Sequence, residues 1–213
     1  MEHYSSSFRA ILSRSSGLTD YLEMAFDLPP FEGQARFRAS ALAGSLALEH
    51  GQGVRGLLAM GLGVSAAVLL RAQYEAALRS VWICYVAKDD EICLLEQDLS
   101  AEAERGAKRL PQANDMLLGI ERAAPPAVSQ SLKNFRTHSW AALNSFVHSG
   151  IHALNRHKDG LPLPLAEGAL KSSNGLSVLA AMQCAIATGS QDLVHRVGLA
   201  QRSFEDCLPP LEK

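Results

Sequence analysis

Charged side chains recur at intervals of four in the segment Arg71-x3-Glu75-x3-Arg79. Side chains four apart lie on one face of a helix, one turn above each other, so these three can interact. An arginine in a cleft can bind phosphate oxygens, and a glutamate beside it can orient the ligand or act as a base. The same spacing also fits an ion-pair ladder that fixes helix packing. The segment therefore predicts either a charged binding site or a structural ion pair.

A second polar row with the same spacing lies far downstream, at Asn144, His148, His152 and Arg156. On one helix the two histidines could ligate one metal ion, with Glu75 as a third ligand. The alternative is a hydrogen-bonding or solvent-facing histidine pair, because no Glu follows the first His as in HExxH zinc sites. The row therefore leaves three hypotheses open: acid–base chemistry at His148, a metal site formed by His148, His152 and Glu75, and a purely structural role.

No other motif marks a reaction. The sequence has no GxSxG nucleophile motif, no P-loop and no GxGxxG after a predicted strand. The four cysteines follow no metal-ligand spacing. Arg105, Lys108 and Arg109 form a small basic group that suits the carboxyl end of a helix. We therefore predict no cofactor.

The chain that positions these residues is predicted to be all-α. Its residues are 47% hydrophobic and only 6% aromatic, and no segment between the prolines alternates like a strand. We predict one domain over residues 1–213, a bundle of about six to eight helices. The predicted helices cover residues 4–27, 34–50 with an extension to 60, 63–87, 89–109, 112–123, 127–157, 167–188 and 191–207.

The predicted helix at 63–87 is apolar nearly all round. Such a helix belongs in the middle of a bundle. Arg71 and Glu75 lie on it, and two charges in that position need polar partners. We therefore predict that both side chains are largely buried and joined to each other or to the helix at 127–157.

The bulk properties favour a cytoplasmic protein without a membrane partner. The formal net charge of −2 provides no global field that would attract nucleic acid or an anionic membrane. The N-terminus lacks the basic start and apolar run of a signal peptide. The longest apolar run, at residues 57–70, covers 14 residues, fewer than the ~20 that span a bilayer. Widely spaced free cysteines suit a reducing compartment.

Two segments, LLRAQYEA at residues 69–76 and LNSFVHSG at residues 143–150, carry a family resemblance. Together they resemble bacterial helical proteins of unknown function related to HEPN (higher eukaryotes and prokaryotes nucleotide-binding) domains. In those proteins a central helix carries Arg-x3-Glu, and a later helix carries a His followed by a small residue. The resemblance covers residues 40–155. It implies a helical bundle that dimerises and, in active members, a metal-independent ribonuclease of toxin–antitoxin or phage-defence systems.

The active members carry an Arg and a His separated by four to six residues, commonly as Arg-Asn-x3-His. Asn144-x3-His148 matches the latter part, but Leu143 stands at the Arg position, and no His in the chain has an Arg five to seven positions before it. We therefore predict a HEPN-like homodimer that binds a nucleotide, an RNA or a partner protein without standard nuclease activity. The alternative is a ribonuclease in which Arg71 clamps the phosphate and His148 is the general acid/base, assisted by Asn144 and Glu75.

Overall fold

A computed structural model describes residues 5–31 and 33–210, and within them every regular element is a helix. Ten of the α-helices in these residues have seven or more residues, and one more is a single turn. The α-helices are α1 Ser6–Leu22, α2 Ala35–Ala59, α3 Gly63–Tyr85, α4 Asp89–Leu95, α5 Ala101–Ala107, α6 Ala113–Ala123, α7 Pro126–Val147, α8 Ile151–Asp159, α9 Leu163–Thr188, α10 Gln191–Gly198 and α11 Ala200–Ser203. Short 3-10 helices cover Glu23–Phe26 and Glu205–Cys207. The all-α prediction is confirmed, with more helices than the six to eight predicted.

The additional helices arise because several predicted helices are interrupted. The segment predicted as one helix at 89–109 forms α4 and α5, and the segment at 191–207 forms α10, α11 and a 3-10 turn. The first helix ends at Leu22 and continues as a 3-10 turn, while its predicted start at residue 4 lies outside the described residues.

The interruption that matters most for the candidate site divides the predicted helix at 127–157 into α7 and α8. Ser149 adopts a positive φ of 51°. The N–H of Ser149 donates to the carbonyl oxygen of Phe146, and the N–H of Gly150 donates to that of Ser145 at 2.7 Å. This pair of bonds is the Schellman pattern, which ends a helix once one residue enters the left-handed region. The chain therefore turns directly after His148.

Helix α3 lies at the centre of the bundle, as predicted. It packs against α2, α6, α7, α8 and α9. Ala77, Leu78 and Val81 on this helix are fully buried. A second apolar cluster joins α1, α10 and the carboxyl-terminal half of α9. Within the described residues, no helix has the length and apolar character needed to cross a membrane.

Candidate functional site

An aromatic contact joins α3 to α7 beside the predicted charged residues. Tyr74 is fully buried, its ring stacks on Phe135 with centroids 4.7 Å apart, and it forms a T-shaped pair with Trp140 with centroids 5.7 Å apart. The Tyr74 hydroxyl donates a hydrogen bond of 3.2 Å to the carbonyl oxygen of Leu132. Burial raises the pKa of Tyr74 to about 12, so the hydroxyl stays neutral and keeps its proton for this bond.

The contacts between the two helices define their relative direction. Arg71 bonds to Asn144 near the end of α7, whereas Tyr74, three residues later, bonds to Leu132 in the first half of α7. Helices α3 and α7 are therefore antiparallel. The turn of α7 that carries Arg136 therefore lies between these two contacts.

Arg71 is held by hydrogen bonds and by a cation–π contact with an aromatic ring. Its Nε and Nη2 donate to Oε1 of Glu75 at 3.1 and 2.6 Å, and its Nη1 donates to Oδ1 of Asn144. Its guanidinium carbon lies 3.3 Å from the centroid of the Trp140 ring. The Arg71 side chain is 15% exposed. The prediction that Arg71 is largely buried and joined to Glu75 or to the helix at 127–157 is confirmed, and Arg71 contacts both.

The prediction that Glu75 is largely buried is wrong. Its side chain is 44% exposed, so the carboxylate reaches water at the rim of the α3–α7 contact. Solvation of the carboxylate avoids most of the desolvation penalty that a fully buried ion pair would incur. Both donors from Arg71 converge on the single oxygen Oε1. Glu75 therefore meets Arg71 with one oxygen at the edge of the bundle.

Two further arginines lie on the same two helices near this ion pair. Arg79 lies one turn after Glu75 on α3, and the guanidinium carbon of Arg136 lies 4.3 Å from the Trp140 centroid. Each keeps a buried Nη1 that has no hydrogen-bond partner among the described residues. Burial lowers the pKa of Arg79, and the charge of Glu75 acts against that shift. We call Arg71, Glu75, Arg79 and Arg136 the arginine cluster.

Sequence reasoning missed Arg136 and Trp140 as parts of the site, although a signal for them was present. Arg136, Trp140, Asn144 and His148 follow one another at intervals of four on α7, which matches the interval of the charged row on α3. Trp140 interrupts the polar row, because an aromatic residue on a helix is commonly part of its apolar face. In the structure Trp140 is itself the surface over which two guanidinium groups lie.

The two histidines of the predicted row do not share a helix. His148 caps the end of α7 and is exposed, whereas His152 lies in the first turn of α8, where its ring stacks on Phe146 with centroids 6.3 Å apart. The described residues contain no group of three His, Cys, Asp or Glu side chains that could hold a metal ion. The metal hypothesis required His148, His152 and Glu75 as such a group, and the structure does not bring them together.

The structure does unite most of the other predicted site residues. Arg71, Glu75 and Asn144 form one hydrogen-bonded group. His148 lies one turn beyond Asn144, and its N–H donates to the Asn144 carbonyl oxygen at 3.1 Å. The geometry therefore offers fixed cations and hydrogen-bond donors at the α3–α7 rim, with one imidazole at the adjoining helix end.

Residues 44–210 match a protein family of unknown function, DUF6988. This match spans more than half of the chain. The chain belongs to the DUF6988 family. The matched region contains α3, α7 and all four residues of the arginine cluster. No curated protein and no solved structure is significantly similar to the chain.

Proposed function

We propose that the chain acts by binding the phosphate group of a nucleotide or an RNA at the arginine cluster, without cleaving it. The observation that carries this proposal is the pair of buried Nη1 groups on Arg79 and Arg136 that lack an acceptor. A buried donor without a partner costs ~1–3 kcal/mol, and phosphate oxygens are the natural partners of guanidinium groups. Three arginines and one glutamate also make the cluster locally positive, although the whole chain carries −2.

The proposal includes a HEPN-like assignment and a role in the bacterial cytoplasm. The two segments that carry the family resemblance lie 67 residues apart, between residue 76 and residue 143. They meet in space, because Arg71 of the first segment bonds to Asn144 of the second. This contact supports the view that the two segments serve one site.

Binding without cleavage follows from the contacts of Arg71 and the position of His148. Phosphodiester cleavage without a metal needs a positioned acid or base and a cation on the phosphate oxygens as charge develops. Arg71 is held by Asn144 and over the Trp140 ring, and Leu143 occupies the position of the usual arginine. His148 stands exposed at the helix end. The cation and the imidazole are therefore not presented together as a catalytic pair.

We expect the purified protein to bind a fluorescein-labelled, 5′-phosphorylated RNA oligonucleotide and to leave it intact. Binding should be saturable and weaken with salt, because phosphate contacts release counterions. Fluorescence anisotropy measures the binding, and a denaturing gel of the same samples shows RNA length. The matched variant His148→Ala should bind and preserve the RNA like the wild type. Absence of binding would contradict the proposal.

The ribonuclease alternative has one observation in its favour. Asn144 links Arg71 to the last turn of α7, where His148 stands. A ligand that drew Arg71 away from Glu75 would approach that imidazole. Rapid RNA cleavage by the wild type that is abolished in both His148→Ala and Arg71→Ala would establish this alternative and overturn binding without cleavage.

We also propose that the chain forms a homodimer through an apolar surface on α2. Leu42 is 71% exposed and Leu46, one turn later, is 45% exposed. Leu42 lines a groove together with Phe26, Pro29 and Pro30. Contiguous exposed apolar patches on a folded chain mark interaction sites, and identical patches on two copies can pair about a two-fold axis.

Light scattering on the protein as it elutes from a size-exclusion column measures the oligomeric state. We expect twice the chain mass of 22.9 kDa for the wild type and a single chain mass for Leu42→Asp, since a carboxylate in the apolar contact would lose its hydration. The control variant Leu99→Asp changes a fully exposed leucine outside this groove and should remain dimeric. A monomeric wild type would contradict the dimer.

A further inference from the structure

We infer that the ligand of the arginine cluster is a phosphate monoester and that Glu75 occupies the place of its phosphate until it binds. This inference rests on the proposed phosphate binding and concerns the class of ligand and how the site selects it. It follows from the number of donors in the cluster, the number of acceptor oxygens on each ligand, and the exposure of Glu75.

Glu75 is placed as an internal stand-in for an anion. It accepts two N–H bonds from Arg71 through Oε1, which is how a ligand oxygen would bind a guanidinium group. Its side chain is 44% exposed, whereas that of Arg71 is 15% exposed. The carboxylate can therefore swing into water on a rotamer change, while Arg71 remains fixed over Trp140.

The stand-in leaves the cluster incompletely satisfied. A carboxylate has two oxygens, and in this structure one of them serves Arg71 alone. Arg79 and Arg136 each retain a buried Nη1 without an acceptor among the described residues. The cluster therefore contains three guanidinium groups, of which a single carboxylate satisfies one.

Phosphate monoesters and diesters differ in what they offer this cluster. A monoester carries three terminal oxygens and a charge of about −1.5 to −2 at pH 7. A diester carries two non-bridging oxygens and about −1, the same charge as the glutamate that it must displace. Only the monoester carries more charge than Glu75 and offers a third terminal oxygen to a further N–H group of the cluster. The cluster should therefore select the end of a phosphorylated chain, or a free nucleotide, over an internal phosphodiester.

Glu75 then sets the selectivity of the site. In the wild type, a diester that displaces Glu75 gains little binding free energy. The two groups carry equal charge, and Glu75 is already tethered to α3 beside Arg71. In Glu75→Gln the competitor is neutral and the three arginines are left without an anion. Both classes of ligand should then bind more tightly. The affinity for the diester should rise more, because the diester is the class that Glu75 excludes in the wild type.

The test compares adenosine 5′-monophosphate with adenosine 3′,5′-cyclic monophosphate, which share a base and differ in phosphate class. Isothermal titration calorimetry on the full chain should show a preference of about tenfold or more for the monoester, which corresponds to one additional charge-assisted hydrogen bond. In Glu75→Gln both affinities should rise and the preference should fall by at least about threefold. Glu205→Gln is the control, because it makes the same charge change in the 3-10 turn Glu205–Cys207, and should behave like the wild type.

A second pair of probes identifies the source of the monoester. An RNA oligonucleotide with a 5′-phosphate and the same RNA with a 5′-hydroxyl differ only at the chain end. If the 5′-phosphorylated RNA binds more tightly than both the 5′-hydroxyl RNA and the free mononucleotide, the ligand is an RNA end. If the mononucleotide binds as tightly as the phosphorylated RNA, the ligand is a free nucleotide. Equal binding of the two RNAs would contradict selection of a monoester.

The outcomes separate this inference from the proposed function. If neither the wild type nor Glu75→Gln binds any of these phosphate ligands while both remain folded by circular dichroism, the proposed function itself fails. If the wild type binds the monoester and the diester equally, or if Glu75→Gln leaves the preference unchanged, phosphate binding stands and the selective role of Glu75 is overturned.

Discussion

Tyr74→Ala is expected to lower the free energy of unfolding by ~3–5 kcal/mol, the range for truncating a large buried aromatic side chain. Tyr74 is fully buried, and its ring stacks on Phe135 and forms a T-shaped pair with Trp140. Its removal leaves a cavity between α3 and α7, the two helices that carry the arginine cluster. Equilibrium unfolding in urea, followed by far-UV circular dichroism, measures the loss.

The matched variant Tyr74→Phe separates ring packing from hydrogen bonding. It keeps the ring and removes the hydroxyl, which bonds to the carbonyl oxygen of Leu132 and interacts with Arg136. We expect a loss of ~1 kcal/mol, the net value of one such bond. If Tyr74→Ala unfolded at the same urea concentration as Tyr74→Phe, the ring would not be what joins α3 to α7, and our description of the site's support would be wrong.

Arg71→Ala is expected to weaken binding of adenosine 5′-monophosphate by about 100-fold, because it removes two or more charge-assisted hydrogen bonds to the phosphate. Arg71→Lys should recover only part of this affinity, with a deficit of about tenfold. Lysine keeps the charge but lacks the planar fork that binds two oxygens and stacks on an aromatic face. The stacking partner is Trp140, 3.3 Å from the Arg71 guanidinium carbon.

Arg202→Ala serves as the control for this series. Arg202 is exposed on α11, outside the α3–α7 contact, and its removal changes the net charge by the same amount. Its affinity for the nucleotide should equal that of the wild type within twofold, since an exposed charge outside the contact is largely screened. Equal losses in Arg71→Ala and Arg202→Ala would show that binding follows net charge alone, which would contradict a site at Arg71.

The position of α3 and its ion pair could be predicted from the sequence because both depend on local periodicity. A helix that is apolar on all sides has few places in a bundle other than the centre, and Arg71 and Glu75 are four residues apart on it. The exposure of Glu75 could not be predicted in this way. It depends on how far α7 extends across that face of α3, which is a property of tertiary packing.

The end of α7 was missed for a specific local reason. Glycine usually occupies the left-handed position that ends a helix, and here that position holds Ser149 while the glycine stands one residue later. The apolar spacing continues across the break, through Val147, Ile151 and Leu154. In the structure these three side chains are substantially exposed, so this apolar spacing does not mark a buried helical face.

The roles of Arg136 and Trp140 depend on the pairing of α3 with α7, which no local pattern specifies. An aromatic residue on a helix is commonly assigned to the core, and an isolated arginine to the surface. Only the antiparallel packing shows that both lie beside Arg71 and that the ring supports two cations. The contacts of these residues are therefore information that the fold adds to the sequence.

The most direct test of the central claim is nuclear magnetic resonance of the arginine side-chain N–H groups, with and without adenosine 5′-monophosphate. The signals are assigned with Arg79→Lys and Arg136→Lys, each of which removes one set. If the arginine cluster binds phosphate, the guanidinium signals of Arg79 and Arg136 shift and exchange more slowly with water on addition of the nucleotide, because their free N–H groups gain acceptors. Nucleotide binding that leaves both sets of signals unchanged would place the ligand elsewhere and contradict the claim.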